Sequence, residues 1–134
     1  MNVYLIGDSI SIHYGPYLQE YLSGTIGYAR KEGTEKALRD LDHPQGANGG
    51  DSSMVLAYLR AKAAAGGIDA DLLLVNGGVH DLRTDPDTGA RQVPVAQYAE
   101  NLRAIVDLAA HLKPDLIWIR TTPWPGGCWL ITTR

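Results

Sequence analysis

The sequence of 134 residues predicts an α/β fold with a parallel sheet of about four strands in a single domain, residues 1–134. Two observations support this prediction. Short apolar runs alternate with helix-forming segments, which is typical of parallel strands joined by right-handed helical crossovers. The run Leu-Leu-Leu-Val within residues 71–76 is apolar on both faces of a strand, as expected between two layers of helices. The length is sufficient for one hydrophobic core.

The first half of the chain predicts a strand, a helix and a second strand. Asn2–Ile6 is a short apolar strand that stops at Gly7-Asp8, and a helix follows from Ser9 to about Leu22. Gly24 is a suitable residue for ending it. Residues 25–45 predict a short strand near Ile26–Ala29 and an irregular, charged connection. The apolar residues with helical spacing in the helix are Ile10, Tyr14, Tyr17, Leu18 and Tyr21.

The second half predicts two further helices and two strands. Asp51, Ser52 and Ser53 are candidate N-caps for a helix over Met54–Ala65, which Gly66-Gly67 ends. A polar loop covers 84–92, and Pro94 is suited to the first turn of the next helix. The remaining predicted elements are a strand at Asp71–Asn76, the helix from Pro94 to about Leu112, and a strand at Asp115–Arg120.

Composition argues against several classes of protein. The net charge is −3 without a basic or acidic block, which makes nucleic acid an unexpected partner. The single cysteine, Cys128, excludes an internal disulfide and a cysteine-based zinc cluster. No apolar stretch has the length of a membrane helix, and the N-terminal apolar run is too short for a signal peptide. We expect a soluble cytoplasmic protein without metal or cofactor, unless a leader has been removed.

Three segments are expected at the carboxyl edge of the sheet, where parallel α/β proteins bind ligands. They are Gly7-Asp8-Ser9, Gly78-Val79-His80-Asp81 and Thr121-Thr122-Pro123. Ser9 would lie in the first turn of a helix, where unpaired N–H groups and the helix dipole favour the oxyanion that forms when a serine attacks a carbonyl. The alternative interpretation is that Asp8 or Ser9 is only an N-cap.

Three motifs resemble the conserved blocks of the SGNH/GDSL hydrolases. Gly7-Asp8-Ser9-Ile10-Ser11 resembles block I, Asn48-Gly49-Gly50-Asp51-Ser52 resembles block II, and Gly78-Val79-His80-Asp81 resembles block III of a branch with histidine in place of asparagine. The resemblance implies a flavodoxin-like three-layer sandwich and a nucleophile at Ser9. It also implies oxyanion donors at the Ser9 N–H, at Gly50 (with Gly49 as the second choice) and at His80, with supporting roles for Asp8 and Asp81 rather than a metal site.

The general base is not assigned by this resemblance. The family ends in Asp-x-x-His, which has no counterpart after Pro123, and its last strand and helix would be missing from this chain. Residues 126–134 do not resemble the family. His80 is the first candidate base and His13, one turn after Ser9, is the alternative. Asp40-x-x-His43 matches the motif literally but is interpreted as coincidence, and His111 as a partner of a helix C-terminus.

The functional prediction is therefore a serine ester hydrolase that acts on small or short-chain acyl esters, with acetylated carbohydrate as one candidate substrate. The alternative is a catalytically impaired remnant of the family that binds ligands or self-associates. Removal of a triad member leaves only residual catalysis, which supports this alternative. An unpaired sheet edge and a Trp-rich tail also predict a homo-oligomer that forms through the C-terminal edge and tail.

Overall fold

The computed structural model describes residues 1–121 and confirms the predicted fold class. Four parallel strands form one sheet in the order β2-β1-β3-β4, and helices cover both of its faces, as in a flavodoxin-like three-layer sandwich. The elements are β1 (Asn2–Gly7), α1 (Ser9–Leu22), β2 (Gly27–Arg30), α2 (Thr34–Ala37), α3 (Ser52–Ala64), β3 (Leu72–Asn76), α4 (Val95–Ala109) and β4 (Asp115–Ile119).

The main hydrophobic core lies between the sheet and the pair α3 and α4. Side chains alternate along a strand, so every second residue of β1 and β3 faces this core. Burial there removes apolar area from water at about 25 cal/mol per Å², which is the dominant stabilising contribution. The fully or nearly buried members from the strands and helices include Tyr4, Ile6, Val55, Leu59, Leu73, Val75 and Ile105.

Helix α1 has the predicted ends, but the prediction of its packing face is partly wrong. Its buried residues are Ser11, Ile12 and Gly15, and a side chain at Gly15 would collide with the Arg30 guanidinium and the Tyr28 hydroxyl. Small residues therefore let the helix lie close to β2. Of the predicted apolar stripe, the half-buried members are Tyr14 and Leu18, whereas the exposed ones are Ile10, Tyr17 and Tyr21.

The other elements differ from prediction by a few residues at their ends, where the regular hydrogen bonding of a helix or strand is incomplete. The one-turn helix α2 lies in the connection that was predicted to be irregular, directly after Gly33 at φ +90°. Pro94 is the N-cap of α4 rather than a residue of its first turn. Helix α4 ends at Ala109, three residues before the predicted end, because the chain must turn there to enter β4.

The carboxyl ends of three neighbouring strands lie in register. Gly7 pairs with Asn76, and Asn76 pairs with Ile119. The loops that follow β1 and β3 therefore emerge side by side. Of the third predicted segment, Thr121 is half-buried beyond β4, while Thr122 and Pro123 lie outside the described residues, as do Cys128 and the Trp-rich tail. Within residues 1–121, no helix has the length and apolarity needed to cross a bilayer.

Candidate active site

Ser9 is the first residue of α1, and its hydroxyl is not used as a helix cap. The N-cap is Asp8, whose Oδ1 accepts the Ile10 N–H at 3.0 Å, while Asp8 O accepts the Ser11 N–H at 3.0 Å. Ser9 is half-buried, and neither its N–H nor its hydroxyl has a hydrogen-bond partner among residues 1–121. Since Asp8 takes the capping role, the Ser9 hydroxyl and an unpaired N–H at the positive end of the helix dipole remain available.

The second motif is joined directly to the first. Gly49 donates its N–H to Gly7 O at 2.7 Å, and Asn48 forms an isolated parallel bridge with Gly7. Gly50 donates its N–H to Asn48 Oδ1 at 3.0 Å. The Gly49 N–H is therefore committed to the backbone, and the Gly50 N–H can serve an oxyanion only if it is shared with Asn48 or released by it.

Gly50 has a conformation that other residues adopt only at a cost. Its φ is +69°, and a Cβ there would lie 2.5 Å from Met54 Sδ and 2.9 Å from Pro44 Cβ. Both the positive φ and the close approach require glycine at this position. At the preceding Gly49, a Cβ would lie 3.1 Å from Gly7 O, so the backbones of the first and second motifs are also in close contact.

The third motif is anchored to the second through a buried carboxylate. Asp81, 3% exposed, accepts the Ser52 N–H at 3.0 and 3.1 Å and the Ser52 Oγ–H at 2.5 Å. Asn101 of α4 donates to Ser52 Oγ at 2.8 Å. A buried charge is tolerated only when it is fully hydrogen-bonded, and Asp81 meets that condition. Its supporting role fits this network, which holds the start of α3 against the loop after β3.

His80 and Asp8 lie buried at the junction of the first and third motifs. The Asp8 backbone N–H bonds to Asn76 O at 3.2 Å, which joins the two loops at their start. Burial raises the pKa of Asp8, while the Ile10 N–H and the charge of His80 act in the opposite direction. Asp8 Oδ2 is buried without a hydrogen-bond partner, and the His80 ring has none among residues 1–121.

The other three histidines are exposed, unlike His80. His13 is exposed on α1, and His43 is exposed on the loop between α2 and α3. That loop does approach the site, because Asn48 Nδ2 donates to Leu41 O at 3.1 Å and Arg83 donates to Asp42 O at 3.2 Å. His111 Nδ1 lies 2.7 Å from Asp107 O, so it bonds a carbonyl in the last turn of α4, as predicted.

Two residues that support the site were not predicted from the sequence. Asn101 is 4% exposed on the inner face of α4, and a polar residue inside an otherwise apolar helix stripe was the available signal. Arg30, the last residue of β2, donates to Ser11 O and to Ser11 Oγ, both at 3.0 Å. It links the edge strand to the first turn of α1, and no local sequence pattern indicates this.

Other features within residues 1–121 offer little competing chemistry. A cleft of about 410 Å³, lined by Ile68, Leu108 and Leu112 among others, lies where α3 and α4 end, at the opposite edge of the sheet. No three His, Cys, Asp or Glu side chains of the described part are grouped as metal ligands would be. No protein-family model and no curated protein matches the chain.

Proposed function

We propose that this protein is a serine ester hydrolase of the SGNH/GDSL type, acting on small or short-chain acyl esters, with acetylated carbohydrate as one candidate. The observation that supports it is the joining of three separate sequence motifs around one available hydroxyl. Gly49 bonds to Gly7, Ser52 bonds to Asp81, and Ser9, two residues after Gly7, is not hydrogen-bonded within residues 1–121. A structural N-cap would not need this arrangement, because Asp8 already caps α1.

The proposed reaction begins with attack of Ser9 Oγ on the acyl carbon. A new C–O bond forms, the carbonyl electron pair moves onto oxygen, and the hydroxyl proton passes to His80 as base. The oxyanion is stabilised by the Ser9 N–H and the positive end of the α1 dipole, and the Gly50 N–H contributes if it turns from Asn48. Collapse breaks the bond to the alcohol oxygen, which takes the proton from His80, and water then releases the acid by the same steps.

The test is hydrolysis of p-nitrophenyl acetate and butyrate by the wild type and by Ser9→Ala. Ser23→Ala, the exposed C-cap of the same helix, is the matched control. We expect Ser9→Ala to lose the activity and to resist labelling by a fluorophosphonate, which reacts only with an activated serine, while Ser23→Ala retains both. If wild type and Ser9→Ala are equally inert, the result would instead favour the catalytically silent binding module, and equal measurable activity would exclude Ser9 as the nucleophile.

We also propose self-association through the β4 edge. Within the described residues β4 pairs only with β3, and Ile117 on it is 45% exposed. An unpaired strand edge with apolar side chains favours pairing with a second copy. Light scattering should give the mass of a dimer or larger oligomer, and Ile117→Lys should shift it towards monomer. A monomer at all concentrations would contradict this proposal.

A further inference from the structure

We infer that Asp8 is the acidic partner of His80, a positioning residue that stabilises the imidazolium formed when His80 accepts the Ser9 proton. The inference rests on the proposed function, because it gives His80 the role of base. It assigns Asp8 a task beyond capping α1. It also accounts for how a base could be activated without the Asp-x-x-His pattern.

The first observation is the incomplete hydrogen bonding of Asp8. The residue is 1% exposed, Oδ1 accepts the Ile10 N–H, and Oδ2 has no hydrogen-bond partner in the described part of the chain. A buried carboxylate oxygen without a donor is unfavourable, because it has lost water without gaining another hydrogen bond. An N-cap needs only one oxygen, and Asn or Ser caps equally well, so capping does not explain a buried charge with a second, unpartnered oxygen.

The second observation is that the site has no other available carboxylate. Asp81 accepts both donors of Ser52. Asp51 accepts the Met54 N–H through Oδ1 and the Gln92 amide through Oδ2. Counting donors within residues 1–121, Asp8 is the one of these three buried acids that has an oxygen without a donor.

The third observation is the surroundings of that oxygen. His80 is 8% exposed, its ring is not hydrogen-bonded within residues 1–121, and its charge acts on the Asp8 carboxyl. Burial and the charge of Asp8 raise the pKa of Tyr14 on α1 to about 12, and its buried hydroxyl has no hydrogen-bond partner within residues 1–121. Asp8 directly precedes Ser9, and its N–H bonds to Asn76 O at 3.2 Å, so the loop that contains His80 begins beside the loop of the nucleophile.

These groups form a relay with a defined distribution of protons. In the proposed reacting complex, one ring N–H of His80 would donate to Asp8 Oδ2, and the other, unprotonated nitrogen would accept the proton of Ser9 Oγ. When Ser9 attacks, its proton moves to that nitrogen, and the ionised Asp8 stabilises the resulting imidazolium without itself being protonated. Hydrogen bonds of this kind are often long in an enzyme without substrate and shorten in the reacting complex.

The test replaces Asp8 with asparagine, which keeps an oxygen for the Ile10 N–H but turns an amide NH₂ towards His80. The matched control is Asp51→Asn, the N-cap acid of α3, whose two oxygens are both occupied. We expect Asp8→Asn to change the ¹⁵N shifts of His80 to those of the other tautomer. We expect kcat to fall on the order of 10⁴-fold with little change in KM, as in triads whose acid becomes an amide. Asp51→Asn should leave the His80 shifts unchanged.

Two measurements distinguish a failure of this inference from a failure of the proposed function. The ¹⁵N measurement on His80 does not require turnover, so it tests the pair even if no ester is hydrolysed. Asp8→Ser, which caps the helix without a second oxygen, should also alter the His80 shifts, and it covers the case in which Asp8→Asn misfolds. His80 shifts identical in wild type and both variants would overturn the inference, whereas a Ser9-independent activity would overturn only the proposed function.

Discussion

A pair of glycines with the same φ allows the close packing at Gly50 of the second motif to be measured. Gly50 and Gly89 both have φ of +69°, but a Cβ at Gly89 would meet no atom within 4 Å, whereas one at Gly50 would meet Met54 Sδ and Pro44 Cβ. A left-handed conformation costs a non-glycine residue about 1–2 kcal/mol. Overpacking adds about 1–3 kcal/mol. We therefore expect Gly89→Ala to lose about 1 kcal/mol of unfolding free energy and Gly50→Ala about 3 kcal/mol.

The two variants are compared by urea unfolding at equal protein concentration. With a slope of about 2 kcal/mol per M, the unfolding midpoint should fall by about 0.5 M for Gly89→Ala and by about 1.5 M for Gly50→Ala. The difference isolates the contact with Met54 and Pro44, because the backbone penalty is common to both variants. Equal losses in the two variants would refute the reasoning that the second motif is closely packed at this point.

Three further changes are predicted from buried or charged groups. Asp81→Asn puts an amide NH₂ where Oδ2 accepts the Ser52 N–H and makes the acceptor neutral, so the unfolding free energy should fall by about 2 kcal/mol, measured with urea; a fall well below about 1 kcal/mol would contradict the anchor role. Asp8→Asn removes a buried charge whose pKa is raised by burial, so at pH 8 stability should rise by about 1 kcal/mol; a clear loss would count against this account. The hydrogen bond from Lys62 lowers the pKa of Glu32 to about 2, so the ionised Glu32 stabilises the fold above pH 4.5 and this contribution is lost as pH falls towards 2. Glu32→Gln should therefore flatten the decline of the unfolding free energy between pH 4.5 and 2. The same decline in wild type and variant would exclude this contribution from Glu32.

Structural features that depend on local sequence patterns were predicted well. The limits of α1 follow from signals within a few residues, namely the cap at Asp8 and the chain reversal at Gly24, whose φ is +78°. Its packing face was predicted less well because Tyr17 and Tyr21 count as apolar in a periodicity although both are exposed. The face that packs contains Gly15, where the absence of a side chain, rather than its hydrophobicity, allows contact with β2.

The candidate site was predictable in its position but less so in its hydrogen bonds. Parallel strands bring the segments after β1 and β3 to one edge, and that follows from topology alone. Which of Asp8 and Ser9 caps α1 depends on side-chain geometry that the sequence leaves open. The engagement of the Gly50 N–H by Asn48 likewise depends on the turn conformation at Gly50, which no residue pattern specified.

The bond between Arg30 and Ser11 has a consequence for motion at the nucleophile. Arg30 ends the edge strand β2 and holds the carbonyl and the hydroxyl of Ser11, two residues after Ser9. Edge strands open more readily than central ones, because they have a neighbour on one side only. An opening of β2 would therefore release the first turn of α1 along with it. We therefore expect slow opening at Ser9 to follow the fraying of the outermost strand, which lies at the opposite edge of the sheet from β4.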